Sequence, residues 1–177
     1  MRYIYILPLG NVNQSVFPKL ERDLEKKFRF RVRTVEKIEI PAYTYNKTRA
    51  QYDGSKILAE LARLEFPDAE KILAIASVDL FSQGLNFIFG QAEAPGKVCL
   101  ISQVRLDPRF YGEKFDENLF YKRLLKEAVH ELGHTFSLSH CPNKFCVMHF
   151  SNTLEDTDIK SFNFCEKCTK LLQMRIE

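Results

Sequence analysis

The chain has 177 residues, 45% of them hydrophobic and 28% charged, with a formal net charge of +3. Those proportions suit one globular domain, or one domain with a small appendage, large enough to bury a sizeable core. The charge is too mild to imply a nucleic-acid partner. No stretch of 18 apolar residues exists, so nothing reads as a membrane span.

In chain order, Tyr3 to Leu7 is a continuous apolar run, as expected of a strand covered on both faces. The opening stretch has one positive charge and no convincing small-residue cleavage site, so it reads as a strand and not a signal peptide. Ser15 to Lys27 has helical spacing through Val16, Leu20 and Leu24. Phe28 to Ile40 alternates, with slippage, as a second strand. Pro41 to Tyr52 reads as a tyrosine-rich loop, Asp53 to Glu65 as a helix, and Lys71 to Val78 as a third, buried strand. Strand, helix, strand, helix, strand predicts a parallel core sheet with helical crossovers.

The pattern then changes. Asn86 to Ala92 and Lys97 to Arg105 flank Pro95-Gly96 and predict an antiparallel pair. Cys99, in the second run, reads as a small buried hydrophobe. Asp116 is the expected N-cap of a helix from Glu117 to about Leu138, with Phe120, Leu124, Ala128, Leu132 and Phe136 in one stripe. Gly133 inside that helix leaves room for close packing. Beyond it, a helical turn is expected near Leu154 to Ile159 and a short helix at Glu166 to Arg175.

The informative residues lie on and after the long helix. His130 and His134 are four apart, so both imidazoles leave one face, a turn apart, and can share one zinc ion. Glu131 leaves the helix about 100° from them, close enough to reach a water at the metal without occupying it. This is the H-E-x-x-H arrangement of zinc hydrolases. His140 becomes a third ligand only if the chain turns after about residue 137. Three protein ligands describe an open, catalytic site, with Glu131 as general base and acid. Cys141, Cys146, Cys165 and Cys168 have the spacing of a closed, tetrahedral structural zinc site. Two zinc ions are therefore expected, in a reducing compartment.

The string H-E-L-G-H-T-F-S-L-S-H-C-x4-C-x-M-x16-C-x2-C, over residues 130–168, resembles the archaemetzincin family of the metzincin clan of zinc metallopeptidases. The resemblance implies an α/β metzincin-like fold. Its expected parts are a mixed five-stranded sheet with two backing helices, an active-site helix and a small zinc-bound C-terminal subdomain. Residues 1–140 would form the catalytic part and 141–177 the Met-turn and cysteine part of one continuous domain. Met148 matches the Met-turn, a packed methionine beneath the ligands; the alternative is a core-filling methionine. His149 follows it and reads as an ordinary solvent or core residue. The resemblance further implies hydrolysis of peptide or protein substrates, an aminopeptidase type of action and a cytoplasmic setting. It makes Asn86 to Ala92 the candidate edge strand along which a peptide would lie, although the sequence does not order the strands. One position departs from the pattern: Ser137 stands where metzincins usually have glycine, which puts the path to His140 in question.

Two other readings compete. One takes the protein as a catalytically silent, zinc-stabilised peptide-binding scaffold, which Ser137 favours and Glu131 disfavours. The cysteines alone would suit a nucleic-acid zinc finger, but no basic helix stands beside them.

Overall fold

In the computed structural model, residues 2–176 are described. The chain begins with β1 (Tyr3–Leu9), α1 (Phe17–Phe28) and β2 (Arg31–Thr34). Two short strands follow, β3 (Tyr45–Asn46) and β4 (Gln51–Asp53), then α2 (Gly54–Leu61), β5 (Ala69–Ala76) and β6 (Leu80–Phe81). Next come β7 (Gly90–Ala92), β8 (Val98–Ser102), the long α3 (Glu117–Thr135), α4 (Leu154–Ile159) and α5 (Glu166–Ile176).

The main sheet runs β2-β1-β5-β8-β7. Its first four strands are parallel, and β7 is antiparallel to β8. The expected five-stranded mixed sheet is therefore present, with β7 outermost. Alternation along the strands sends residues to two cores. Ile4, Ile6, Leu73, Ile75, Cys99 and Ile101 face α1 and α3. Tyr5, Leu7, Ile72, Ala74, Val98 and Leu100 face α2. Helix α1 presents Phe17, Leu20, Leu24 and Phe28 at helical spacing, and α2 presents Ile57, Leu58 and Leu61. Cys99 is fully buried, as expected.

Several boundaries differ from expectation. The second strand covers only Arg31–Thr34, because Phe28 completes the α1 stripe four residues after Leu24 and belongs to the helix. After Val35 the chain leaves the sheet and touches it again only at Ile38, opposite Leu9. The stretch 41–52 is not all loop: β3 and β4 pair there, and β4 also pairs with β6 in a small second sheet. Helix α2 ends at Leu61 and not Glu65, closing with two tight three-residue bonds, Arg63 to Glu60 and Leu64 to Leu61, ahead of Pro67. Asn86 to Ala92 is ladder only at Gly90–Ala92, with one isolated bridge at Ile88.

The two ends of the sheet differ. On β2, the Val32 and Thr34 N–H groups donate to the Glu25 and Glu21 carboxylates of α1, at 3.0 and 2.8 Å. Side chains thus occupy donors that would otherwise invite another strand. Beyond β7 no further strand pairs among the described residues.

Residues 141–176 pack onto the α1/α3 core through Cys141, Cys146, Val147, Met148, Cys168 and Leu172. Helix α4 is fastened to α3 by polar groups. Arg123 makes a two-pronged pair with Asp158 at 2.8 and 2.7 Å, and Lys126 donates to the carbonyls of Thr157 and Asp158.

Candidate active site

Helix α3 opens on Asp116, whose side chain accepts from the Leu119 N–H at 3.0 Å, as expected of an N-cap. It ends at Thr135, three residues before the expected end. Phe136 is the half-turn beyond, and Ser137 takes φ 66°, the left-handed conformation. The Ser137 N–H donates to His134 carbonyl at 2.9 Å, and the Leu138 N–H to Gly133 carbonyl at 3.1 Å. Those two bonds are a Schellman closure, usually built on glycine. Serine makes it here, at a cost of ~1–2 kcal/mol for the left-handed backbone. Lys71 of β5 caps the same end, donating to Thr135 carbonyl at 3.0 Å. The chain thus turns where it must, and His140 comes back towards the helix.

The three histidines converge. One nitrogen from each of His130, His134 and His140 lies within 4.8 Å of the others. The His130 and His134 Nε2 atoms are 3.1 Å apart. Each ring is held from behind: His130 Nδ1 is 2.7 Å from Val147 carbonyl, and His134 Nδ1 is 2.7 Å from Leu138 carbonyl. A carbonyl only accepts, so both Nδ1 atoms carry the proton and both Nε2 lone pairs point into the cluster. Burial pushes both imidazoles below their usual pKa, helped by the Lys160 ammonium, so both are neutral near pH 7. Three neutral nitrogens on one point are a donor set that fits zinc and leaves a position open.

Glu131 is buried beside them. Burial, then the Glu127 carboxylate, push its carboxyl well above the usual range, against the pull of Lys160. A carboxyl so placed has the proton affinity that acid-base chemistry needs. Gly90 of β7 makes room for it. A Cβ there would lie 2.7 Å from Glu131 Cγ and 2.8 Å from its Oε1.

Met148 lies under the helix. A Cβ on Gly133 would be 2.5 Å from the Met148 Sδ, so glycine permits this approach. Met148 is fully buried, as both sequence readings of it, packed turn residue and core filler, require. His149 is half-buried, and its Nδ1 is 2.8 Å from Cys141 carbonyl.

The four cysteines also converge, with all Sγ atoms within 4.8 Å of one another. The Cys165 N–H donates to Cys146 Sγ at 3.3 Å. The backbone N–H of Cys168, first among several donors, brings the Cys165 thiol down to about 7. Four converging thiols, one of them readily ionised, fit a tetrahedral zinc.

A cavity of about 460 Å³ opens over the histidines. Residues 85–92, including β7, form one wall and Phe150 to Asn152 another. At its inner side, Glu127 meets Lys160 at 3.0 Å, an ion pair with both side chains buried.

Residues 13–174 match Peptidase family M54. The chain belongs to this family, that of the archaemetzincins. The archaemetzincin of Methanocaldococcus jannaschii is 42% identical over 172 residues, spanning 97% of this chain and 93% of that protein. The crystal structure of archaemetzincin from Methanopyrus kandleri superposes with a TM-score of 0.86 at 35% identity, covering 98% of this chain and 95% of that one. A zinc-dependent peptidase from Methanocorpusculum labreanum gives a TM-score of 0.87 at 28% identity, covering 96% and 99%. The M54 chain is thus a zinc metallopeptidase, a hydrolase acting on peptide or protein substrates.

Sequence reasoning missed Gly90, Lys71, Glu127 and Lys160. Each acts on α3 or its ligand face from far away in the chain, except Glu127. That residue is four before Glu131, and this spacing alone could have singled it out.

Proposed function

We propose that this chain cleaves peptide bonds at the histidine cluster, with His130, His134 and His140 holding one zinc ion and Glu131 moving the proton. The convergence of three histidine nitrogens beside a buried glutamate carries this reading. Zinc bound there supplies Lewis acidity, drawing the pKa of a water towards ~7 and polarising a carbonyl. The chain's own residues do the rest. The Val147 and Leu138 carbonyls orient His130 and His134, and the turn at Ser137 delivers His140. Glu131 takes a proton from the attacking water and returns it to the leaving amine. The free edge of β7 receives the peptide as an added antiparallel strand, with the cavity beside it.

The cysteine cluster holds a second, structural zinc through Cys141, Cys146, Cys165 and Cys168, giving two ions per chain. Four converging cysteines without a disulfide suit a reducing compartment, and the proposal extends to a cytoplasmic setting. The family resemblance extends the proposal to aminopeptidase action, which the ends of the products would reveal. The silent-scaffold reading loses the support of Ser137, because that residue adopts the left-handed conformation and the chain turns there.

Metal analysis tests the ligand assignment. Purified protein should carry two zinc equivalents, and His134→Ala one, with peptide cleavage lost. Two equivalents retained in the variant would remove His134 from the ligand set.

A further inference from the structure

We propose that Arg49 and Gln51 are positioning residues for the substrate: they fix the cavity wall at Leu85, Asn86 and Phe87, along which the peptide residues after the scissile bond lie. This rests on the peptidase reading above, in which the peptide adds antiparallel to β7. Leu85, Asn86 and Phe87 all line the cavity. Little of this wall is sheet. Its ladder is confined to Gly90–Ala92. Before that, the Ile88 N–H donates to Leu80 carbonyl at 3.0 Å, the Leu85 N–H closes a turn on Ser82 carbonyl at 3.1 Å, and residues 83–86 are exposed. A segment with so few backbone partners opens easily unless side chains hold it.

Side chains from the small second sheet do hold it. Arg49, just ahead of β4, donates through Nη2 to the carbonyls of Leu85 and Asn86, both at 2.9 Å. Its Nε donates to Gln51 Oε1 at 3.1 Å. Gln51 is buried, and its Nε2 donates to Asn86 carbonyl at 3.1 Å and to Asp79 Oδ2 at 2.9 Å. Asp79 is gripped in turn by Arg105 at 2.7 and 2.9 Å. The Arg105 guanidinium lies over the Phe87 ring, 4.2 Å from its centroid. One connected network thus touches three consecutive residues of the wall. The Gln51 amide cannot flip without losing its bonds to Arg49, Asp79 and Asn86. Arg49 itself is exposed, and surface substitutions seldom change global stability much. What Arg49 holds is the wall.

Strand direction says which part of the substrate depends on it. Gly90 packs against Glu131, so the reacting bond lies near Gly90. A peptide antiparallel to β7 runs from Ala92 towards Leu85. Residues before the scissile bond then face β7, and residues after it face the clasped stretch. A wall held in its binding shape spares the peptide the cost of ordering it. Substrates that extend past the scissile bond gain from Arg49 and Gln51; those that stop there do not reach them.

The test compares zinc-loaded wild type, Arg49→Met, Gln51→Met and Arg49→Lys on two peptides alike up to the scissile bond, one ending a single residue after it and the other extending four. Arg49→Met should lower kcat/KM for the longer peptide relative to the shorter by ~3–10-fold, the worth of one or two hydrogen bonds, with the change in KM. Gln51→Met should act in the same direction, and carries the test if Arg49→Met does not fold. Arg49→Lys, which still donates to carbonyls, should stand between wild type and Arg49→Met. Amide exchange over residues 83–89 should quicken in Arg49→Met while that of α3 and the zinc content hold. An unchanged ratio, an equal loss on both peptides, or faster exchange spread to α3 overturns the proposal. Retention of a mixed peptide library by Glu131→Gln, with and without Arg49→Met, gives a reading apart from turnover. Retention that depends on Arg49, with nothing cleaved by wild type, would overturn the peptidase reading alone. Cleavage indifferent to Arg49 and Gln51 would overturn this proposal alone.

Discussion

Ser137 holds a conformation that glycine adopts without strain, and two backbone bonds depend on it. The left-handed cost of ~1–2 kcal/mol is partly offset by the greater freedom glycine has in the unfolded chain. Ser137→Gly should therefore stabilise the protein by ~0.5–1 kcal/mol, raising the melting temperature by ~1–4 °C. A lower melting temperature would mean that the serine side chain contributes something the turn geometry does not contain. Gly133 poses the opposite problem. Alanine would improve helix propensity by ~1 kcal/mol, but its Cβ would sit 2.5 Å from Met148 Sδ. Methionine can give way only by disturbing a fully buried neighbourhood, and overpacking costs ~1–3 kcal/mol. A net loss of up to ~2 kcal/mol is expected for Gly133→Ala in thermal or denaturant unfolding. A gain would show that Met148 has free space.

Among elements, the segment from Cys141 to His149 ties the histidine and cysteine clusters together. Cys141 directly follows His140. Val147, whose carbonyl orients His130, lies between Cys146 and Met148. The Cys141 N–H donates to Met148 carbonyl at 2.9 Å, closing the segment on itself. Loosening the cysteine cluster should then loosen two of the three histidines. Cys168→Ser should lower zinc occupancy at the histidine cluster as well as at its own, read by metal analysis and chelator competition. Normal occupancy of the histidine cluster in that variant would refute the coupling.

Legibility in the sequence followed the range of the interactions involved. Helix α3 was readable because its cap, Asp116, and its stripe are local, and His130, Glu131 and His134 ride on its period. The cysteine cluster was readable from spacing. The end of α3 was misplaced by three residues, because apolar Phe136 and Leu138 continue the helical pattern while the backbone at Ser137 departs from it. Phe28 satisfies two periods at once, and packing in the α1 stripe decided for the helix. The order of strands, the cover that Glu21 and Glu25 give β2, and the approach of Gly90 to Glu131 depend on residues far apart in the chain. No local pattern encodes them.

At the scale of the molecule, the sheet, its two cores and the C-terminal segment converge on one place. The α1/α3 core fixes the histidine-bearing helix, β7 is the outermost strand with no further strand paired to it among the described residues, and α4 is clamped to α3 with Phe150 to Asn152 lining the cavity. The measurement that tests this account most directly is cleavage of a mixed peptide library by zinc-loaded protein beside Glu131→Gln, read by mass spectrometry. Products should appear with the wild type and fall by at least ~100-fold with the variant, which keeps the three histidines but loses the group proposed to move the proton. Equal products from the two would contradict the assignment of Glu131, and none from fully loaded wild type would contradict the peptidase reading itself.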